Sequence, residues 1–441
     1  MVELKKKNWT RLTFATVMAT VMVVVAACGN QKDSGTENGG NQGNNASQET
    51  ITLTMMHPWT SPNVDNEVYK ARIASFEAEF PHIKIQQDGV AAAQYKTKLF
   101  TLATANNLAD INVTWPGADL DPLVKGNLLM PLNDYMDNWN GLVLEDALVG
   151  YSADGNQLAI PTKRNFVDII YYNKEYLSQV GYDEFPSTYE DFIDMIKKLK
   201  EAGITPISLG NKEKWPLQSS YMSIIGQRFA GADFFNKVMA GEAELTDPQF
   251  VKAIAVIEEL TQLEAFNVDA NNMDSVQAQD YLIQGKAAMH ISSATVDGRI
   301  RTTNEEGDKF GIALFPSVPD GLGDPKMASG VSQFGISIKS GLDEKKQAAA
   351  IEFMKYFVSE ELYTDLAKAG ILVPANVEMG DDISPYLKEM YELTSHGSSP
   401  VFDAVINTQA AKEFENGLQA ITVGRSTPEK VAQDAQALIE R

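Results

Sequence analysis

The chain has 441 residues, 44% hydrophobic and 22% charged, with one cysteine and a formal net charge of −22 at pH 7. So acidic a composition argues against nucleic acid and against electrostatic docking on anionic lipid, both of which depend on basic footprints, and it permits a neutral or cationic ligand. A single cysteine excludes disulfide staples within the chain, and the length exceeds what one core usually serves, so two domains with ordinary cores are expected.

At the N-terminus, Lys5, Lys6, Lys7 and Arg11 precede sixteen uncharged residues, Leu12 to Ala27, which end in small residues before Cys28. This pattern predicts a signal peptide over residues 1–27. The run is short of the ~20 apolar residues that a bilayer requires, and no later stretch approaches that length. Its removal takes away four basic and one acidic side chain and moves the net charge from −22 to −25. The junction Val25-Ala26-Ala27-Cys28 resembles the bacterial lipobox, which makes Cys28 the expected lipidation site. Two or three acyl chains on the new N-terminus meet the rule that stable anchoring takes more than one. The bland alternative is a buried free thiol beside an ordinary cleavage site. Residues 28–50 are almost devoid of apolar side chains and read as a disordered tether, with a typical reach of about 25 Å for a Gly-rich coil of this length.

Beyond the tether, Ile51, Leu53 and Met55 alternate as a first strand, broken by the loop His57-Pro58-Trp59-Thr60-Ser61-Pro62. Tyr69, Ile73, Phe76 and Phe80 form the stripe of an amphipathic helix that Pro81 ends, and Ile83 and Ile85 begin the next strand. This β-α-β start implies a parallel sheet covered by helices. Tyr95 to Leu102 reads as a helix and Asp110 to Thr114 as a strand, followed by Trp115-Pro116-Gly117. Loops after strands in open α/β sheets lie where ligands usually bind, so Trp59 and Trp115 are expected on one rim.

Gln157 to Lys174 places a buried strand, Val167 to Tyr172, behind a loop containing Pro161. A helix stripe follows at Phe192, Met195, Ile196 and Leu199, with capping-box spacing at Ser187-x-x-Glu190, and then a strand at Ile204 to Leu209 and a loop carrying Trp215. Helical patterns cover Phe250 to Leu263 and Ser275 to Gln284; Ala287 to Ile291, Gly311 to Phe315 and Phe334 to Ile338 read as strands. Helices around Ala350 to Val358 and after Ser426-x-x-Glu429 close the chain. There is no internal repeat.

Four segments, in this order, resemble family 1 extracellular solute-binding proteins, the sugar-binding components of bacterial ABC importers related to maltose-binding protein. They are FEAEFPHIKI with LADINVTWPGADLDPLVKGNLLMPLNDY; the Gln157 to Lys174 stretch running on to PSTYEDFIDMIKKLKEAGITPISLG; GKAAMHI; and VSQFGISIKS with KKQAAAIEFMKYFVSEE. The resemblance implies an α/β fold of two lobes, the type II periplasmic-binding-protein-like fold, each lobe a mainly parallel sheet flanked by helices and joined by several crossings. It places the first lobe at 51–165 plus 311–385 and the second at 166–310 plus 386–441, with crossings near Thr162 to Phe166, Phe310 and Pro385. It also implies a monomeric, lipid-anchored receptor on the outer face of the cell membrane, which catches a sugar without cofactor or catalysis and hands it to ABC permease subunits.

Sugars need flat aromatic faces for stacking, with carboxylates, amides and bases for directed hydrogen bonds. The resemblance nominates Trp59, Trp115 and Trp215 as stacking residues, each with packing as the bland alternative, and Asn165 and Phe166 as cleft-facing residues of the first crossing. Asp65 is a candidate acceptor or a plain helix N-terminal acid. Many relatives carry a tryptophan where Thr295 stands here, so Asp297 or Arg299 is expected to contribute polar contacts instead, and Gln333 is a further candidate.

Two rival readings stay open. Ferric-iron binders of the same architecture use neighbouring tyrosines, and Tyr171-Tyr172 offers such a pair, although core packing fits it better; the four histidines lack zinc-ligand spacing. An exported glycoside hydrolase would need two facing carboxylates, and no motif among the 59 acids selects them. No GxSxG, Walker or HExxH motif is present.

Overall fold

The computed structural model describes residues 49–301 and 309–439; the signal peptide, Cys28 and nearly all of the tether lie outside them. The strands are β1 (Ile51–His57), β2 (Ile83–Gly89), β3 (Ile111–Thr114), β4 (Ser152–Ala153), β5 (Asn156–Gln157), β6 (Ile160–Phe166), β7 (Ile169–Asn173), β8 (Thr205–Ser208), β9 (Ala287–Ser292), β10 (Phe310–Ala313), β11 (Ala328–Ile338) and β12 (Ser398–Ser399). Among the described residues, no helix is long and apolar enough to cross a membrane.

Two sheets carry the structure. In the six-stranded sheet β1 pairs in parallel with β2 and β3, β11 runs antiparallel to β3 and to β6, and β12 lies parallel to the start of β11. The four-stranded sheet has the order β10-β7-β9-β8; only β8 and β9 are parallel, and β7 runs antiparallel to both β9 and β10. This second sheet is therefore mixed, where the resemblance implied mainly parallel pairing.

Helices form where the sequence places apolar stripes. Val64–Glu79 buries Tyr69, Ile73 and Phe76 on one face and stops before Pro81. Tyr189–Glu201 buries Phe192, Met195, Ile196 and Leu199, but Thr188, not Ser187, caps it, its Oγ1 accepting from the Asp191 N–H at 3.3 Å. The helix Pro428–Gln436 repeats the correction: Pro428 occupies the first helical position, which fixes Thr427 rather than Ser426 as the cap.

Each sheet has its own hydrophobic core. One gathers Leu53, Tyr69, Phe76, Val113, Ile336 and Phe357 around the six-stranded sheet. The other gathers Phe192, Ile207, Met289, Phe250, Phe402 and Phe414 around the four-stranded sheet. A third, smaller cluster of Phe166, Ile169, Tyr171, Phe310, Ala328, Leu372 and Leu387 joins residues from both sheets at the seam.

The chain leaves the six-stranded sheet at Val167-Asp168, between β6 and β7, so the single strand read at Val167 to Tyr172 is the start of a second strand beginning at Ile169. Gly311 to Ala313 belong to the four-stranded sheet as part of β10, which puts the return between Ala313 and Ala328 and not near Phe310. The last departure follows β12, since Ser398-Ser399 pair with β11 whereas Phe402 and Ile406 sit in the second core; the helix at Pro385 still packs on the seam. The first shift arises because β10 pairs with β7, and the second because β11 extends six residues upstream of the expected Phe334, through Ala328 to Gln333, which read as loop.

Asp168 sits fully buried in the first crossing, one carboxylate oxygen accepting from the Ser329 N–H of β11 at 2.6 Å and the other without a partner in the protein. Burial pushes its carboxyl up to about 7, against the pull of the Ser329 N–H and the Arg228 charge. Because an unfolded aspartate titrates near ~3.9, the folded chain holds this proton more tightly, and the stabilisation present at low pH is lost as pH rises from about 4 through 7. Asp168→Asn should therefore gain in melting temperature relative to wild type between pH 5 and pH 8. A parallel pair of melting curves across that range would show the carboxyl to be charged throughout.

Candidate ligand-binding cleft

The ribbon of β6 and β11 builds the floor of a cleft between the two sheets. Antiparallel pairing sets Asn165 opposite Val331 and Lys163 opposite Gln333, so these four side chains share one face, while Arg164 and Phe166 point to the other. The burial alternates accordingly: Lys163 and Asn165 are half-buried, and Arg164 and Phe166 are buried. Adjacent strand residues cannot both face one cleft, and this separates the expected pair Asn165 and Phe166. Phe166 instead packs in the seam cluster against Gly330 and borders a separate cavity of about 440 Å³ behind the ribbon.

Two cavities open over the cleft face. The first, of about 650 Å³, has Lys96, Trp115, Pro116 and Asp119 on the side of the six-stranded sheet, Asn165 and Gln333 on the floor, and Ser219, Asp403, Asn407, Thr408 and Gln409 opposite. Trp115 is held by Tyr95 at 5.5 Å between ring centroids and edge-to-face by Phe334 at 5.3 Å. The Lys96 ammonium lies 5.0 Å from the Trp115 ring centroid and 2.5 Å from an Asp119 carboxylate oxygen. Phe334 adopts φ 55°, a left-handed conformation rare for an aromatic residue and costing about 1–3 kcal/mol. That turn brings its ring against Trp115 and to 4.1 Å from the Lys163 ammonium.

The second cavity, of about 680 Å³, shares Asn165 and Gln333 with the first and adds Asp65, Lys163, Thr295, Asp297, Ser384 and Tyr386. Asp65 is ion-paired to Lys163 at 2.8 Å. Asn165 accepts from the Ser293 hydroxyl at 2.7 Å, which fixes its amide and leaves its N–H groups as donors. Asp297 is bound by Arg301 at 2.6 Å, and burial raises its carboxyl above the usual range despite that partner. Arg299 turns away to Asp280 at 2.6 Å. Thr295 does stand in the cavity wall, and the aromatic there comes from Tyr386, on the helix Pro385–Leu393.

Trp115, Asn165, Gln333, Asp65 and Asp297 are thus brought together, whereas Arg299 and three other candidates are not. Trp59 is 1% exposed and stacked among His57, Tyr69 and Phe357, with centroids 4.9, 4.3 and 5.7 Å away, so its ring faces are used by the core. Trp215 is 37% exposed and borders neither cavity. Phe166 lies behind the ribbon. Tyr171 is buried and donates to the Ser293 carbonyl, while Tyr172 points the other way and packs on Phe185, as strand alternation demands. Among the described residues, no group of three His, Cys, Asp or Glu could hold a metal ion.

Residues that sequence reading missed include Lys96, Asp119, Tyr386 and Asn407 to Gln409. The last three begin the helix Thr408–Ile421, whose buried stripe Ala410, Ala411, Phe414, Leu418 and Ile421 follows an Asn-Thr start. That stripe and cap were a readable helix signal.

The family described as bacterial extracellular solute-binding protein matches residues 71–391. An uncharacterised ABC transporter extracellular-binding protein of Pyrococcus horikoshii is 27% identical over 57% of this chain and 57% of its own, so that match spans just over half of the relative. A multiple sugar-binding protein of Streptococcus mutans is 22% identical over 78% of this chain and 77% of its own. Among solved structures, a chitin oligosaccharide binding protein superposes with a TM-score of 0.74 at 22% identity, covering 88% of this chain and 98% of that one. With the family match covering well over half of its length, the chain belongs to the bacterial extracellular solute-binding proteins.

Proposed function

We propose that this chain is a lipid-anchored receptor that captures a carbohydrate between its two lobes and delivers it to the permease of an ABC transporter. The family binds solutes and is not catalytic. The observation that carries the carbohydrate reading is the composition of the first cavity. A fixed tryptophan ring, Trp115, stands among amides, hydroxyls and a Lys–Asp pair, which is the combination of flat face and directed hydrogen bonds that a sugar ring requires. The relative from Streptococcus mutans, named a multiple sugar-binding protein, supports the same reading.

The lobes in this reading are the two sheets with their cores, the first crossing at Val167-Asp168 serves as part of the hinge, and ligand binding shifts the population toward a closed form. Anchoring rests on the Val25-Ala26-Ala27-Cys28 junction.

Three outcomes follow. In a calorimetric and thermal-shift screen of mono- and oligosaccharides, at least one sugar should bind and raise the melting temperature without being cleaved, and Trp115→Ala should weaken it by about 1 kcal/mol; stabilisation by Fe³⁺ alone would overturn the reading. Gly117, at φ 66°, lets the Ala404 carbonyl of the opposite side approach to 2.8 Å from where a Cβ would stand. Gly117→Ala should therefore hold the sides apart, lowering affinity and enlarging the radius of gyration of the ligand-saturated protein in small-angle scattering. Cys28→Ala should abolish acyl labelling in the producing bacterium and release the protein from the membrane fraction.

A further inference from the structure

We propose that Asp168, with Ser329, Ser399 and Arg228, forms a proton-operated latch where the three passages between the two cores meet. With its proton on, the carboxyl holds the cores in the arrangement described above; with the proton off, the latch loosens and the cores splay. Asp168 lines neither cavity of the cleft, so the latch is independent of which solute is bound there.

All three passages reach this point. The first is Val167-Asp168 itself, between β6 and β7. The second, from Ala313 to Ala328, runs into Ser329, whose N–H donates to the Asp168 carboxyl at 2.6 Å. The third follows β12, where the Ser399 hydroxyl lies 3.0 Å from that of Ser329. Arg228, on the helix Met222–Ala230 of the second core, grips the second passage at both ends. Its Nε donates to the Phe315 carbonyl at 2.9 Å, and Nη1 and Nη2 donate to the carbonyls of Asp324 at 3.1 Å, Met327 at 2.9 Å and Pro325 at 2.9 Å. All four side chains of the latch are buried.

The carboxyl at the centre is left half satisfied. Its Oδ1 has no partner in the protein, so a charge on it would leave a bare anionic oxygen sealed from water, whereas a proton makes the position tolerable. Arg228 is the charged side chain that acts on Asp168, and burial lowers its guanidinium only to about 10, so it stays charged. None of its hydrogen bonds reaches Asp168, because they go to the second passage and to the Gln227 side chain. Asp324 acts on Arg228 from the loop that Arg228 holds, and Arg164 and Asp146, beside Ser398 of β12, are paired with each other.

An ionised Asp168 gains its missing partner in two ways, and both loosen the latch. Water enters between the passages, or Arg228 turns toward the carboxylate and releases carbonyls of the loop from Asp324 to Met327. In a splayed form open to water the carboxyl returns toward ~3.9, whereas in the shut form burial holds it up to about 7. The shut form therefore binds the proton more tightly. Its advantage is complete below about pH 4 and falls away as pH rises through 7. At the cleft, the shut form is the one in which Gly117 stands against the Ala404 carbonyl, a contact between the two cores that splaying breaks.

The test reads the distance between the cores in the full chain, with no ligand added. In a Cys28→Ala background, which removes the one native thiol, fluorophores on Val149→Cys and Val268→Cys report it by energy transfer. Both positions are exposed, the first beside Leu148 of one core and the second near Phe266 of the other. Small-angle scattering of the unlabelled chain is run in parallel. From pH 5.5 to pH 8.5 the ratio of shut to splayed molecules should fall about threefold or more and the radius of gyration should rise, with circular dichroism unchanged. Asp168→Asn, which cannot ionise, should keep the low-pH distance at both pH values. An unchanged distance with Asp168 intact, a response that persists in Asp168→Asn and so belongs to other groups, or an Asp168→Asn chain splayed at both pH values would each overturn the latch. The pH series with Asp168 intact needs no variant of the latch to fold. Because no sugar is present, its failure leaves the carbohydrate reading standing.

Discussion

The antiparallel pairing of β6 with β11 is the constraint on which the rest depends. From Gly330 opposite Phe166 to Ile336 opposite Ile160, the ladder keeps one register. A two-residue side-chain period then assigns Lys163, Asn165, Val331 and Gln333 to the cleft and Arg164 and Phe166 to the rear. A slip of one residue would exchange these sets. It would bury Asn165 in the seam and turn Phe166 into the cleft. The same strand β11 also pairs with β3, whose following residue is Trp115, so one strand sets both the floor and the height of the aromatic wall above it.

Around this ribbon the two walls of the cleft are each held by packing of their own. Trp115 is wedged by Tyr95 and Phe334, and Phe334 holds an unfavourable backbone angle that only a well-packed surrounding can sustain. The opposite wall comes from the start of the helix Thr408–Ile421 and the short helix Phe402–Val405, which belong to the core of the four-stranded sheet. The walls therefore belong to different cores, joined through a seam of modest size and through strand-to-strand passages such as Val167-Asp168. Rigid halves with few connections are what a hinge motion needs.

Local patterns were legible to the degree that their physics is local. The stripe Tyr69, Ile73, Phe76 gave its helix because burial at i, i+4, i+7 requires only one face. Trp115 was legible as a residue of the cavity wall because it directly follows a strand, in the loop position where open α/β sheets carry their clefts. Trp59 follows a strand just as closely, yet Pro58 and the rings of Tyr69 and Phe357 turn it into the core, and those partners lie 10 and 298 positions away in sequence. Caps shifted by one residue at Thr188 and Thr427 for a simpler reason: neighbouring Ser and Thr compete for the same N–H groups, and backbone geometry chooses between them.

The sequence by itself determined the α/β character, the acidic surface and the order of the main elements, because these follow from composition and periodicity, while four ordered segments carried the resemblance to the family. Only the tertiary structure decided that β11 begins six residues earlier than its apolar run, that the second sheet is mixed, and that Lys96, Asp119, Tyr386 and Asn407 share the cleft with Trp115 and Asn165. Those facts rest on pairing and packing between segments hundreds of residues apart, and no local pattern carries the register that brings them together.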